Sequence, residues 1–203
     1  MKKVDRYKTI LMFGAPGSGK GTQGKILGDL PGFFHLSCGD VFRSLNHKSE
    51  LGQVFLKYSS EGKLVPDEFT IRLWLEHIHS LVETGVFHPN EEILVLDGIP
   101  RNVHQSQMME AYIEVILLVC LDTDEQDKLI DRMRRRALHE NRLDDANETV
   151  IRARFEEYAR ETEDVLQFYP PDRIRKIDAS RSPIEVLSDV IGIVRFASAI
   201  AVA

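Results

Sequence analysis

Residues 14–20 read G-A-P-G-S-G-K, directly after the apolar run TILMF at 9–13. No other stretch restricts the fold as tightly. Gly14, four residues, Gly19 and Lys20 fit the phosphate-binding pattern G-x-x-x-x-G-K-[ST]. Glycines let backbone N–H groups turn inward around an anion with no Cβ in the way. A helix beginning near Lys20 would point its positive end at the same anion, and Lys20 adds a mobile full charge. One position departs from the general pattern. Gly21 stands where a Mg²⁺-holding hydroxyl is expected, and Thr22 follows one residue late.

The rest of the chain supplies a frame for that loop. Apolar runs at 93–96 and 115–121, with a weaker one at 174–177, join 9–13 as buried-strand candidates. Continuous apolar runs suit a parallel sheet covered on both faces. Between them, 67–82 places Ile71, Trp74, Leu75, Ile78 and Leu81 on one helical face after Pro66 and Asp67. In 149–166, Ile151, Phe155, Tyr158, Ala159, Thr162, Val165 and Leu166 form one stripe. Strand–helix alternation predicts a doubly wound α/β domain. Residues 37–66 are mostly helical and polar, as in a small insertion between two sheet strands.

A length of 203 residues suits one core, and a net charge of −6 gives no broad attraction to nucleic acid or an anionic membrane. The apolar run at 190–203 is short for a bilayer and is interrupted by Arg195, so a docked last helix is expected. The first residues lack the apolar core of a signal peptide. Cys38 and Cys120 have no metal-ligand spacing. A reducing cytoplasm is the expected setting.

Two further stretches carry chemistry. In ILVLDGIPR at 93–101, Asp97 ends a buried strand, where phosphate-loop proteins hold Mg²⁺ or its waters. In RMRRRALHENRLDD at 132–145, Arg132 and Arg136 share a helix face while Arg134 and Arg135 point elsewhere. Phosphoryl transfer runs through a loose, negatively charged transition state and needs positioning and positive charge more than a nucleophile. Many arginines with no Ser-His or Cys-His pair fit a kinase.

At this point the chain resembles the adenylate kinase and nucleoside monophosphate kinase family. The resemblance rests on GAPGSGKGTQ (14–23), HLSCGDVFR (35–43), EGKLVPDE (61–68), LDGIPRNVHQ (96–105), the arginine-rich segment and YARETEDVLQFY (158–169). In that family Gly after the loop Lys is normal. The resemblance implies a P-loop kinase fold over 1–203: a parallel central sheet covered by helices on both faces. It also implies a small helical NMP-binding insertion at 37–66, a short lid at 134–143, and core elsewhere.

It implies MgATP + AMP ⇌ 2 ADP in a cytoplasmic monomer that binds neither nucleic acid nor membrane. Gly17, Ser18, Gly19, Lys20, Gly21 and Thr22 would hold the ATP phosphates, Arg132 would lie against its adenine, and Asp97 would organise Mg²⁺ through water. Arg43 and Arg101 would grip the AMP phosphate, and Cys38, Lys63, Leu64, Val65 and Gly98 would line the AMP site. Arg136, Arg142 and one further arginine would converge on the transferring group. Arg152 and Arg154 flank the apolar stripe on opposite edges, and the spacing R-x-x-x-Y to Tyr158 favours Arg154. The family's lid has Gly where this chain has Ala137 and Asn141.

The monophosphate turns on Gln105, four residues after Arg101, where AMP-using relatives carry Gln and pyrimidine-specific ones Asn. Cys38 stands where AMP enzymes have Thr, and Asn102 echoes the pyrimidine pattern. AMP is the expected acceptor. A UMP/CMP kinase, or an adenine-nucleotide-sensing module that transfers nothing, are the alternatives.

Overall fold

The computed structural model describes residues 6–140, 147–162 and 164–201. Five strands form one sheet: β1 (Tyr7–Gly14), β2 (Phe33–Ser37), β3 (Ile93–Asp97), β4 (Ile113–Asp122) and β5 (Ile174–Asp178). Their order is β2-β3-β1-β4-β5 and every pairing is parallel. The helices are α1 (Lys20–Gly28), α2 (Cys38–Arg43), α3 (Glu50–Ser59), α4 (Asp67–Glu83), α5 (Val103–Met109), α6 (Gln126–Glu140), α7 (Glu148–Glu157), α8 (Val165–Phe168) and α9 (Pro183–Ala201).

Two-sided burial explains the continuous apolar runs. Ile10 and Met12 of β1 pack with Val186, Val190 and Val194 of α9. Leu11 and Phe13, pointing the other way, pack with Ile71, Trp74 and Ile78 of α4. The expected stripe of α4 is therefore its sheet-facing side, and the expected terminal helix is the docked α9. Leu129, Ile130 and Met133 of α6 pack with Ile151 and Phe155 of α7 in a smaller cluster.

Sequence reading passed over β2. Of FFHLS only Leu36 is buried, because β2 is an edge strand. Its cover is close all the same. A Cβ on Gly28 of α1 would lie 2.4 Å from His35 Cβ, so α1 reaches this edge only with glycine there.

The segment 149–166 is not one helix. Between α7 and α8 lies a π-helical turn, Tyr158–Thr162. The wider turn shifts the helical phase. Ala159, expected within the stripe, is exposed, while Ile151, Phe155, Thr162 and Val165 are buried.

β1 lies between β3 and β4: β2 and β3 are laid down on one side of it, and the chain then crosses to β4 and β5 on the other, so the crevice for a ligand lies beyond the carboxyl ends at this reversal. The insertion expected at 37–66 contains α2 and α3. Among the described residues no helix is long and apolar enough to cross a membrane.

Candidate active site

The loops after β1, β2, β3 and β5 open into one cavity of about 730 Å³. Every residue that the sequence placed at a nucleotide or metal site lines it, except Arg142, which lies outside the described residues. Residues 134–140 of the expected lid are the last turns of α6, and 141–143, with Asn141, lie outside the described residues.

The β1 loop turns at Gly17 with φ 80°, and a Cβ there would lie 2.6 Å from the Leu129 carbonyl oxygen. The loop is thus backed by α6 so closely that glycine is required. Lys20 opens α1, and its Nζ donates to the carbonyls of Gly14 at 2.7 Å and Ala15 at 2.9 Å. Burial lowers its pKa from 10.5 to about 8, partly opposed by Asp97 and reinforced by Arg101, Arg154 and Arg136. Four cationic side chains therefore share this part of the cavity, and an incoming phosphate would relieve their repulsion.

Asp97 ends β3 in register with Met12 and is largely buried. A Cβ on Gly21 would lie 3.3 Å from Asp97 Oδ2. Any side chain at position 21 would therefore stand directly against the Asp97 carboxylate. Among the described residues no three His, Cys, Asp or Glu side chains cluster as metal ligands. One hard carboxylate beside a phosphate site suits Mg²⁺, which keeps several waters and takes few protein ligands.

At the other end, Arg43 Nη2 donates to Asp40 Oδ1 at 2.6 Å, and Arg101 Nε donates to the Gly98 carbonyl at 2.8 Å. The buried Cys38 thiol is pushed up to about 12, chiefly by desolvation, so it stays neutral. Lys63 lines the cavity, but its ammonium pairs with Glu61 at 2.6 Å.

Gln105 is 1% exposed. Its Nε2 donates to Asp67 Oδ1 at 2.7 Å, and its Oε1 accepts from the Arg101 backbone N–H at 2.8 Å. Asp67 also accepts from Asn102 Nδ2 at 3.0 Å and lies 2.8 Å from His104 Nδ1. Burial pushes the Asp67 carboxyl up, but bonds from His104, Gln105 and Asn102 outweigh this and hold it below its ordinary value. Asn102 has a second task. Its Oδ1 accepts from the Gln105 backbone N–H at 2.7 Å and caps α5.

The guanidinium of Arg132 donates to three backbone carbonyls after β5: Ala179 at 2.6 Å, Ser180 at 3.3 Å and Arg181 at 3.2 Å. Gln23 of α1 donates to the Pro183 carbonyl at 3.1 Å, so two side chains stitch this loop to the cavity wall. Arg136 and Arg154 line the cavity, whereas Arg152 is exposed and paired with Glu148 at 2.8 Å. Arg134 faces away, bonded to Glu148 at 2.6 Å. Arg135 corrects the sequence reading: it also lines the cavity, because it lies three residues from Arg132 on the same side of α6.

Sequence reasoning missed Asp40, Asp67 and Gln23. Asp67 was visible only as a helix start, and nothing local shows a partner 38 residues away. Asp40 carried a usable signal, its i,i+3 spacing to Arg43.

The family model for adenylate kinase matches residues 12–174. An adenylate kinase of Cyanothece sp. is 36% identical over 188 residues, covering 89% of this chain and 92% of its own. One from Porphyromonas gingivalis is 37% identical over 166 residues, covering 79% of this chain and 81% of its own. A UMP-CMP kinase of Sus scrofa is 31% identical over 195 residues, covering 93% of this chain and 97% of its own.

Proposed function

The chain belongs to the adenylate kinase family and is a nucleoside monophosphate kinase, and from that premise we propose that it carries out MgATP + AMP ⇌ 2 ADP. One observation carries the reading. A single cavity joins the glycine loop and Lys20 to the Gln105 amide, with Arg101, Arg136 and Arg154 around it.

In the proposed reaction an oxygen of the AMP phosphate bonds to the γ-phosphorus of ATP. The bond from that phosphorus to the β,γ-bridging oxygen breaks, and the electron pair leaves with ADP. The loop from Gly17 to Thr22 cradles the ATP phosphates, and Lys20 swings from its carbonyl partners to their β/γ end. Arg132, held by three carbonyls, presents its guanidinium to the adenine. Arg43 and Arg101 bind the acceptor phosphate, and Arg136, Arg142 and Arg154 stabilise charge spread over the transferring group. Asp97 would hold Mg²⁺ beside the ATP phosphates, where the ion would supply neutralisation of their charge. Closure of 37–66 and of the lid at 134–143 excludes water and so prevents hydrolysis of ATP. A cytoplasmic monomer is part of the proposal.

Transfer to CMP or UMP is the second reading, favoured by the UMP-CMP kinases among the relatives. Asn102 no longer adds to it, since capping α5 and bonding Asp67 account for this residue. An assay coupled to ADP formation, run side by side with AMP, CMP, UMP and GMP, tests the choice. AMP is expected to give the highest kcat/KM. A higher value for CMP or UMP overturns the AMP assignment, and binding of ATP and AMP without ADP formation overturns transfer itself.

A further inference from the structure

We propose that Asp67 is the positioning residue that sets purine selectivity: its carboxylate holds the Gln105 amide in one orientation, which suits a 6-amino purine and rejects a 6-oxo purine. The inference rests on the reading that Gln105 faces the acceptor base.

A glutamine amide has two orientations that exchange its oxygen and its NH₂ group. Two neighbours of different kinds fix the choice here. Asp67 Oδ1, 2.7 Å away, accepts only, so the amide must present N–H to it. The Arg101 backbone N–H, 2.8 Å from the other end, donates only, so the amide must present oxygen to it. Rotation by half a turn would set oxygen against carboxylate and N–H against N–H. Asp67 is itself fixed, on α4, by Asn102 and His104 from the start of α5.

After those bonds the amide keeps one N–H and one acceptor lone pair, in a set order. Adenine offers an acceptor ring nitrogen beside its N6 donor. Hypoxanthine carries an oxygen acceptor at that exocyclic position and a proton on the neighbouring N1. The amide therefore pairs with adenine as held and with hypoxanthine only when rotated. Asp67 makes the rotated form costly.

The test is kcat/KM for AMP and for IMP in Asp67→Asn. The asparagine accepts or donates, so the clash of oxygen against carboxylate is lifted and only the Arg101 N–H still opposes the rotated amide. The IMP:AMP ratio is expected to rise about tenfold, the size of one lost charge-assisted hydrogen bond, while kcat at saturating AMP stays near wild type. His104→Ala, which leaves the Asp67–Gln105 bond in place, should not move the ratio. If Asp67→Asn fails to fold in a thermal melt, Asp67→Ser is read on the same ratio. An unchanged ratio in the Asp67 variant, with selectivity altered in Gln105→Ala, overturns this inference alone. Unchanged selectivity in Gln105→Ala overturns the base-reading role and this inference with it.

Discussion

The two ends of the cavity are built from different materials. At the glycine-loop end the partners are main-chain groups: Lys20 rests on the Gly14 and Ala15 carbonyls, and Arg132 on those of Ala179, Ser180 and Arg181. At the Gln105 end the partners are largely side chains: Asp40 for Arg43, and Asp67 for Asn102, His104 and Gln105. A backbone cradle reads what all nucleoside triphosphates share, their phosphates. Side-chain networks carry donor–acceptor order and can tell bases apart. The difference predicts that changes at one end alter chemistry and donor binding, and that changes at the other alter acceptor choice.

Lys20→Ala tests that split with the largest effect. Removing one preorganised charge from the transferring group should lower kcat by roughly 10²–10³-fold. The fold should be kept, because desolvation of this ammonium offsets much of the loss of its bonds to the Gly14 and Ala15 carbonyls. Circular dichroism melts with the coupled assay check both halves, and a variant of wild-type kcat removes Lys20 from the mechanism. Gln105→Asn comes next. Shortening the amide withdraws it from the base, so the AMP:CMP ratio of kcat/KM should drop about tenfold for one lost hydrogen-bond pair, with KM for ATP unmoved. A parallel rise in KM for ATP would show that the ends are not separate.

The same contrast explains what the sequence revealed. The glycine loop was legible because its parts are contiguous: a run of buried positions, glycines at fixed spacing, then a helix. β1, β3 and β4 were legible because burial on both faces makes their central runs, 10–13, 93–96 and 115–121, continuously apolar. β2 was not, since an edge strand carrying His35 and Ser37 shows neither an apolar run nor a clean alternation. The π-helical turn at Tyr158–Thr162 left no compositional mark, and so Ala159 was assigned to the wrong side. Arg154 and Arg152 could not be separated by periodicity, whereas their placement differs plainly, one in the cavity and one on Glu148. Asp67 is the deepest omission. Its partners lie on another element, and long-range side-chain pairing has no local signature.

Arg132→Ala refines the comparison at the loop end. The variant loses hydrogen bonds that hold the loop after β5, while Gln23 still holds Pro183. KM for ATP should rise about fivefold, for roughly 1 kcal/mol of net hydrogen bonding, and KM for AMP should stay put. A rise confined to AMP would reverse the assignment of the two ends.

The smallest effect is a proton. In the free protein Lys20 has a pKa of about 8 against an ordinary 10.5. A lysine depressed in this way costs stability while it is charged: between those two values the unfolded chain binds more protons, so fold stability rises with pH there. Nucleotide binding has the opposite sign. Phosphate oxyanions favour the ammonium and draw its pKa back up, so ATP binding takes up a proton near pH 8. Affinity should be full below that pH and weaken through it, about twofold from pH 7 to 8 and about tenfold from pH 7 to 9. Calorimetric titration of ATP in buffers of different ionisation heat measures both the affinity and the proton count. Lys20→Arg keeps its charge across this range, so any slope left in that variant belongs to ATP itself and is subtracted. AMP binding, at the end built from side chains, should show no such slope. A Lys20-dependent slope for AMP equal to that for ATP would mean that the ammonium serves both ends, and the division between them would have to be redrawn around Lys20.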